Sequence, residues 1–269
     1  MIVAIVNEKG GVGKTHTAVN LASVIAMKGY KVLVVDLDAA AKASLILTQN
    51  ENNKKTIKDI LFDKADPADV VIPSQVPGVD IIPSSKAFYQ ADTRLSNEQI
   101  EGADSIIYPE ERLSYALTVT SNITEQYDYV FLDCPAKLDK VTLNAIYMAD
   151  RAIIPVFPTR WPLEGMMTTL TKIEQVNNRH ARNGIKLDGV IISSFKTRAN
   201  ILKACISSVP DLVGEERVYK TTIRDAAVIG ESEWENLPVV MYAPKSAIAQ
   251  DYFRFGDEFI QRNEVTTNG

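Results

Sequence analysis

The sequence predicts an α/β fold: a doubly wound, mostly parallel sheet flanked by helices. Three observations carry that expectation. Short β-branched runs alternate with longer segments of helical period, the pattern of successive βα units. Several of the short runs are apolar without alternation, as in strands covered on both faces. The first of them passes directly into a glycine-rich loop that opens a helical segment.

Taken in order, strands are expected at residues 2–6, 32–35, 79–82, 129–132, 152–156, 189–193 and 238–241. Between the first two, residues 15–28 put Ala18, Leu21, Ala22 and Ile25 on one helical face and stop at Gly29. Residues 50–78 and 84–125 are more polar and hold weaker helices, the clearest at 110–119. With 269 residues, 46% hydrophobic and 23% charged, the chain can bury a full core, and no break in composition divides it. We read one domain over 1–260 and a polar, fraying tail at 261–269.

Composition also excludes. No run of eighteen apolar residues is present, so a membrane span is not expected. The apolar start at residues 1–6 is too short for a signal core, and a cytoplasmic location is expected. Cys134 and Cys205 lie far apart and the histidines are His16 and His180, which removes a disulfide framework and disfavours a Cys/His metal site. A formal charge of -5 argues against a surface coated by nucleic acid, while leaving room for a local basic face.

The segment that carries chemistry is Asn7-Glu8-Lys9-Gly10-Gly11-Val12-Gly13-Lys14-Thr15. Gly10, Gly11 and Gly13 let backbone amides turn inward with no Cβ in the way, so that N–H groups converge on phosphate oxygens. The helix beginning near Lys14 adds the positive end of its dipole. Lys14 is suited to the β and γ phosphates and the Thr15 hydroxyl to Mg²⁺. A glycine-rich turn alone needs no ligand, but Gly-Lys-Thr between strand and helix makes that unconvincing. Glu8 stands where the general P-loop has its first glycine, and a second lysine, Lys9, lies inside the loop.

Lys-Gly-Gly-Val-Gly-Lys-Thr resembles the deviant Walker A loop of the ParA/MinD ATPases. The resemblance implies a P-loop NTPase fold, ATP and Mg²⁺ as ligands, and a homodimer that sandwiches ATP, with Lys9 acting across the interface. By itself Lys9 would read as a solvated loop charge. His16 replaces a hydroxyl residue that in the family touches the α-phosphate, so an imidazole N–H is expected to substitute or the contact to be lost. Nucleotide contacts are thus expected from Lys9, Gly10, Gly11, Val12, Gly13, Lys14, Thr15 and His16.

Two further strands end in carboxylates, at Asp36-Leu37-Asp38 and at Asp133-Cys134-Pro135. Ligands of doubly wound sheets sit beyond the carboxyl ends of the strands, so these acids should converge on the loop. Asp133 fits the Walker B role on Mg²⁺. The resemblance assigns Asp38 to the attacking water and Asp36 to the metal's surroundings, giving Thr15, Asp36 and Asp133 as metal candidates and Lys9, Lys14 and Asp38 as catalytic ones. Where the family continues Asp-x-Asp-Pro-Gln, this chain reads Asp38-Ala39-Ala40-Ala41, which puts the response of that loop in question.

The likeness continues through Tyr127–Pro135 in the Walker B stretch, Leu163-Glu164-Gly165 and the strand leading to Arg198, and runs from residue 1 to about residue 255. It places Arg198 and Pro244-Lys245-Ser246 near the base. The first strand begins at the first residues, so the likeness is to the short type, for which operator-specific DNA binding is not expected.

Three functions follow. A ParA-type ATPase would dimerise on ATP, bind DNA without sequence preference in the nucleoid, and move a cargo under control of a ParB-like or other adaptor. Its basic contacts would come from Arg179, Arg182 and Lys186, from Lys196, Arg198 and Lys203, or from Lys220 and Arg224, although the family's further arginines after residue 223 are absent. A MinD-like alternative needs a basic amphipathic helix near the C-terminus; residues 251–260 carry aromatics but also acids and Gly256, and read better as a core helix. An electron-transfer reductase of the nitrogenase iron-protein kind needs a glycine-flanked cysteine pair, which Cys134 and Cys205 do not form.

Overall fold

The computed structural model of the chain describes residues 1–98, 100–101, 106–157, 160–179, 184–195 and 200–267. Its strands are β1 (Ile2–Ile5), β2 (Val32–Asp36), β3 (Ile72–Pro73), β4 (Val79–Ile82), β5 (Ile100–Glu101), β6 (Ile106–Ile107), β7 (Tyr129–Asp133), β8 (Arg151–Val156), β9 (Lys186–Phe195) and β10 (Val218–Arg224). An eight-stranded sheet runs in the order β10-β9-β8-β1-β7-β2-β4-β3. Its pairings are parallel except β3 with β4, and β5 and β6 form a separate antiparallel ladder. The chain crosses β7 on its way from β1 to β2, and crosses β1 on its way from β7 to β8. The order therefore reverses at the centre of the sheet, where a doubly wound fold opens its crevice.

Neighbouring residues of the central strands feed opposite apolar layers, which is why the sequence shows no alternation. Val3, Ile5, Val32, Val34 and Phe131 face the helix Lys14–Met27, through Ala18, Leu21, Ala22 and Ile25, and the last helix, Ala247–Thr267. Ala4, Val6, Leu33, Val35, Val130 and Leu132 face the other way, toward Val141, Ala145 and Ile146 of the helix Lys140–Met148.

The aromatic face of the last helix lies in that first layer. Tyr252, Phe255 and Phe259 are buried, with Phe259 5.5 Å from Tyr129 and 5.8 Å from Phe131 between ring centroids. Gly256 permits the approach: a Cβ there would collide with Val24 Cγ1 of the first helix. A MinD-like membrane helix requires an apolar face directed outward, whereas this one is spent on the core. Among the described residues no helix is long and apolar enough to cross a membrane.

Three expectations are corrected, and one strand is added to those expected. Residues 238–241 are not a strand; Val239–Tyr242 is one helical turn, entered through Pro238 and pinned where the Val240 amide donates to Asn20 Oδ1 at 3.2 Å. A short apolar run fits a buried helical turn as well as a strand. The edge is instead taken by β10, whose Lys220 and Arg224 conceal a buried face of Tyr219 and Ile223. The segment 110–119 is α-helical only over Arg112–Ser114 and continues as wider π turns over Tyr115–Thr120. Residues 261–264 are packed helix: Arg262 stacks 4.2 Å over the Tyr219 ring, Asn263 is buried, and Glu264 accepts from the Tyr30 hydroxyl at 2.7 Å.

The Gly256 contact yields a prediction. Val24 is β-branched and cannot swing aside, so Gly256→Ala should cost more in overpacking, about 1–3 kcal/mol, than helix propensity returns. The thermal midpoint should fall by about 2 °C or more. An unchanged or higher midpoint contradicts this close approach.

Candidate nucleotide and metal site

The loop after β1 is built by backbone conformation. Gly11 and Gly13 adopt φ of +73° and +86°, a region that side chains rarely enter. Gly13 begins the helix Lys14–Met27 with no side-chain cap and no acid in the first turn, so the positive helix end faces the loop. The loop is braced from β9, where the Ser193 hydroxyl donates to the Val12 carbonyl at 2.5 Å. Asn7 braces its start: its side-chain amide donates to Pro155 O at 2.9 Å while its Oδ1 accepts the Lys9 amide at 3.0 Å.

Lys14 is 7% exposed and its ammonium donates to the Lys9 carbonyl at 2.9 Å, reaching across the loop. Burial pushes its pKa below the ordinary lysine value, opposed chiefly by the nearby Asp133. Lys9 leaves the loop in a different direction. Its stem lies on Gly165 of the helix Arg160–Arg179, where an added Cβ would sit 2.5 Å from Lys9 Cγ and 3.3 Å from Cε. Its ammonium remains outside, 39% exposed at the side chain and 3.9 Å from Glu8. Lys14 therefore belongs to its own loop, and Lys9 is free to meet something beyond it.

Parallel register aligns the acids. Ile5 of β1 and Asp36 of β2 both pair with Asp133 of β7, so loop and carboxylates meet at one sheet edge. Asp133 is 1% exposed, and neither carboxylate oxygen has a hydrogen-bond partner among the described residues. The Thr15 hydroxyl comes near enough to favour the charge without reaching hydrogen-bond geometry. Burial first and the neighbouring Asp36 second hold the Asp133 carboxyl well above the usual carboxylate range. An unpartnered buried carboxylate beside a hydroxyl is the donor set a hard divalent cation takes, with its remaining ligands from water or phosphate. Among the described residues no group of three or more His, Cys, Asp or Glu is disposed around a metal position.

Asp36 is fully buried, and its pKa is pushed up to about 6, chiefly by that burial. Its oxygens are already engaged: Oδ2 accepts the Ser44 amide at 2.8 Å and hydroxyl at 2.7 Å, and Oδ1 accepts the Asp38 amide at 3.0 Å. It thus ties the helix Lys42–Thr48 and the Asp38 loop to the sheet, and of the metal candidates it is the one with its lone pairs largely used. Asp38 is half-buried, gives one oxygen to the Ala40 amide at 2.9 Å, and lines a cavity of about 750 Å³ with Lys86, Tyr89 and Lys137. Ala41, which follows the Ala39-Ala40 pair standing where the resembling family has proline and glutamine, adopts φ +52°, a left-handed conformation that strains a non-glycine residue.

His16 does not turn toward the loop. Its Nε2 meets Glu233 Oε1 at 2.8 Å, on the helix Val228–Trp234, so an α-phosphate contact from that nitrogen is already forgone. Arg224 of the basic candidates is a bidentate partner of buried Asp251, at 2.6 and 2.9 Å. Lys186 and Lys220 are exposed. Arg198, Arg182 and Lys196 lie outside the described residues, as do the side chains of Arg179 and Lys203. Pro244-Lys245-Ser246 forms the turn into the last helix, with Pro244 O accepting from Gln250 at 2.9 Å. Sequence reasoning did not assign Asn7, Ser44, Gly165, Ser193 or Glu233. Gly165 stood out only as part of Leu163-Glu164-Gly165, and the others carry no local signal.

Fold and loop together define a P-loop NTPase of the doubly wound kind. A family model described as an AAA domain matches residues 1–187. The sporulation initiation inhibitor protein Soj of Bacillus subtilis (strain 168) is 33% identical over 269 residues, spanning 100% of this chain and 99% of its own. The chromosome partitioning protein ParA of Caulobacter vibrioides (strain NA1000 / CB15N) is 30% identical over 265 residues, spanning 97% of this chain and 94% of its own. Among solved structures, the septum site-determining protein MinD of Pyrococcus horikoshii OT3, complexed with Mg-ADP, superposes with a TM-score of 0.73 at 26% identity, over 96% of this chain and 94% of that one. The chain belongs to the ParA/MinD family.

The isolation of Asp133 has a measurable cost. Asp133→Asn, which buries an amide in place of an unpaired carboxylate, should raise the thermal midpoint in metal-free, nucleotide-free buffer by about 2–4 °C. A lower midpoint would mean that the carboxylate has a protein partner after all.

Proposed function

We propose that the chain is a Mg²⁺-dependent ATPase of ParA type. It dimerises on ATP, binds DNA without sequence preference, and drives the segregation or positioning of a plasmid, chromosome or other cargo while a ParB-like or other adaptor stimulates hydrolysis. The Caulobacter vibrioides relative, a chromosome partitioning protein matched along nearly its whole length, supports the cellular role. The observation that carries the chemistry is the bare Asp133 carboxylate beside Thr15 and Lys14 at an uncapped helix end.

Mg²⁺, when bound, neutralises phosphate charge and lowers the barrier to transfer of the terminal phosphoryl group. Thr15 and Asp133 would hold it, while Asp36 keeps their surroundings rigid from behind. The amides of Gly10 to Lys14 cradle phosphate oxygens, and the Lys14 ammonium exchanges the Lys9 carbonyl for them. Lys9, with its stem on Gly165 and its charge outward, offers that charge to the nucleotide of a second copy. Asp38 orients the attacking water through the oxygen not given to Ala40. Its hold on its own loop favours slow turnover until an adaptor shifts that loop. Of the basic candidates, Lys186 and Lys220 are described and exposed, and dimerisation would double what they offer to DNA. Residues 1–260, with the packed residues 261–264 added, act as one ATPase domain, in the cytoplasm and over the nucleoid.

Two variants test this. Lys14→Ala should lose ATP binding in calorimetry. Asp38→Ala should keep it, accumulate a dimer with ATP and Mg²⁺ in light scattering, and release no phosphate. A monomeric Asp38→Ala protein saturated with ATP rules out the sandwich.

A further inference from the structure

Away from the P-loop, the helix Arg112–Ser114 and the π turns Tyr115–Thr120 form one wall of a cavity of about 720 Å³. That volume lies in the range of small-molecule sites. Its opposite wall comes from the helix Ile57–Phe62 and the chain that follows it. Leu61, Phe62, Tyr115 and Ala116 make much of the lining apolar. Neither the glycine loop nor the carboxylate cluster contributes a residue.

Arg112 lines this cavity and is only 3% exposed. Its Nε, Nη1 and Nη2 are buried with no hydrogen-bond partner among the described residues. A guanidinium stays charged at every physiological pH, so burying one without an anion or acceptors is unfavourable. The nearby acids do not supply the anion. Glu98 gives its oxygens to Arg94, at 2.7 and 3.4 Å, and Arg94 in turn lies 4.1 Å over the Phe62 ring. Asp66 accepts the Ala68 amide at 2.9 Å, capping the short helical turn Pro67–Asp69. Burial lowers the Arg112 pKa, with Glu98 favouring its charge and Arg94 opposing it.

We propose that the Arg112 cavity is a second ligand site, separate from the nucleotide loop, that takes a small organic monocarboxylate with an apolar body. The planar fork of the guanidinium matches the two oxygens of a carboxylate. One deep cation balances one negative charge; a phosphate dianion would bring a second charge into an apolar chamber whose other cation, Lys64, is exposed. The apolar lining buries the rest of the ligand. The cavity is roofed by the same wall that holds Leu113, whose amide donates to Asn144 of the helix Lys140–Met148 at 2.9 Å. Occupancy would therefore be felt in the layer beneath the sheet.

The test uses the full chain and octanoate, octanamide and octyl phosphate as probes, read by calorimetry and thermal melting. Octanoate should bind with one site per chain and raise the midpoint, while octanamide, isosteric but uncharged, should bind about tenfold or more weakly. Arg112→Gln should lose octanoate affinity by about tenfold or more, and Arg112→Lys, charged but without the fork, should fall between. Relieved of its unpaired charge, Arg112→Gln should melt no lower than the unaltered chain, which excludes misfolding as the cause. ATP titrations of Arg112→Gln should match the unaltered chain, so failure here is distinct from failure of the ATPase reading. No octanoate binding, equal binding by Arg112→Gln, equal binding of octanamide, or tighter binding of octyl phosphate would each overturn the proposal.

Discussion

The in-register pairing of β1, β7 and β2 is the constraint on which the site depends. Ile5, Asp133 and Asp36 finish level, so a loop rich in inward amides emerges beside two buried carboxylates. Charges of opposite sign are thereby gathered at one edge without neutralising each other. Lys14 is bonded to a carbonyl rather than to Asp133, and Asp133 is bonded to nothing described. The arrangement is costly in an apolar interior, and the cost is met by the two layers that clamp the central strands. Groups held apart in this way are preorganised for a ligand that carries both signs, a cation together with phosphate.

Around that edge, small residues decide where the flexible groups go. Gly165 makes room for the Lys9 stem and so directs its ammonium away from the loop that carries it. Ser44 fills the Asp36 carboxylate and leaves Asp133 as the freer acid. Glu233 occupies His16, tying the first helix to Val228–Trp234 across the nucleotide side of the fold. Each contact moves a charge by one side-chain length, enough to send Lys14 across the loop and Lys9 out of it.

Much of the fold and the centre of the site could be read from the chain, because both are written in contiguous residues. A strand buried on both faces is an apolar run, a P-loop is a glycine string between strand and helix, and a strand-end acid follows its strand directly. The reading failed where a decision belonged to distant partners. Val239 and Val240 make a helical turn because Asn20 and the core receive them that way, and β10 forms because Tyr219 packs on Phe255 at 4.8 Å, behind a polar outer face. Residues 261–264 looked like a loose tail and are held by Tyr219, Tyr30 and β10.

The sequence by itself determined the α/β class, the phosphate loop and the acids at the strand ends, since each depends on neighbours a few residues apart and on backbone freedoms that glycine alone supplies. Tertiary structure decided which charges are paired and which are left bare. Asp36, His16 and Arg224 found partners 8, 217 and 27 residues away, while Asp133 and Arg112 were sealed from solvent without one among the described residues. Pairing is a property of distance and burial in three dimensions, and no local pattern of residue types encodes it.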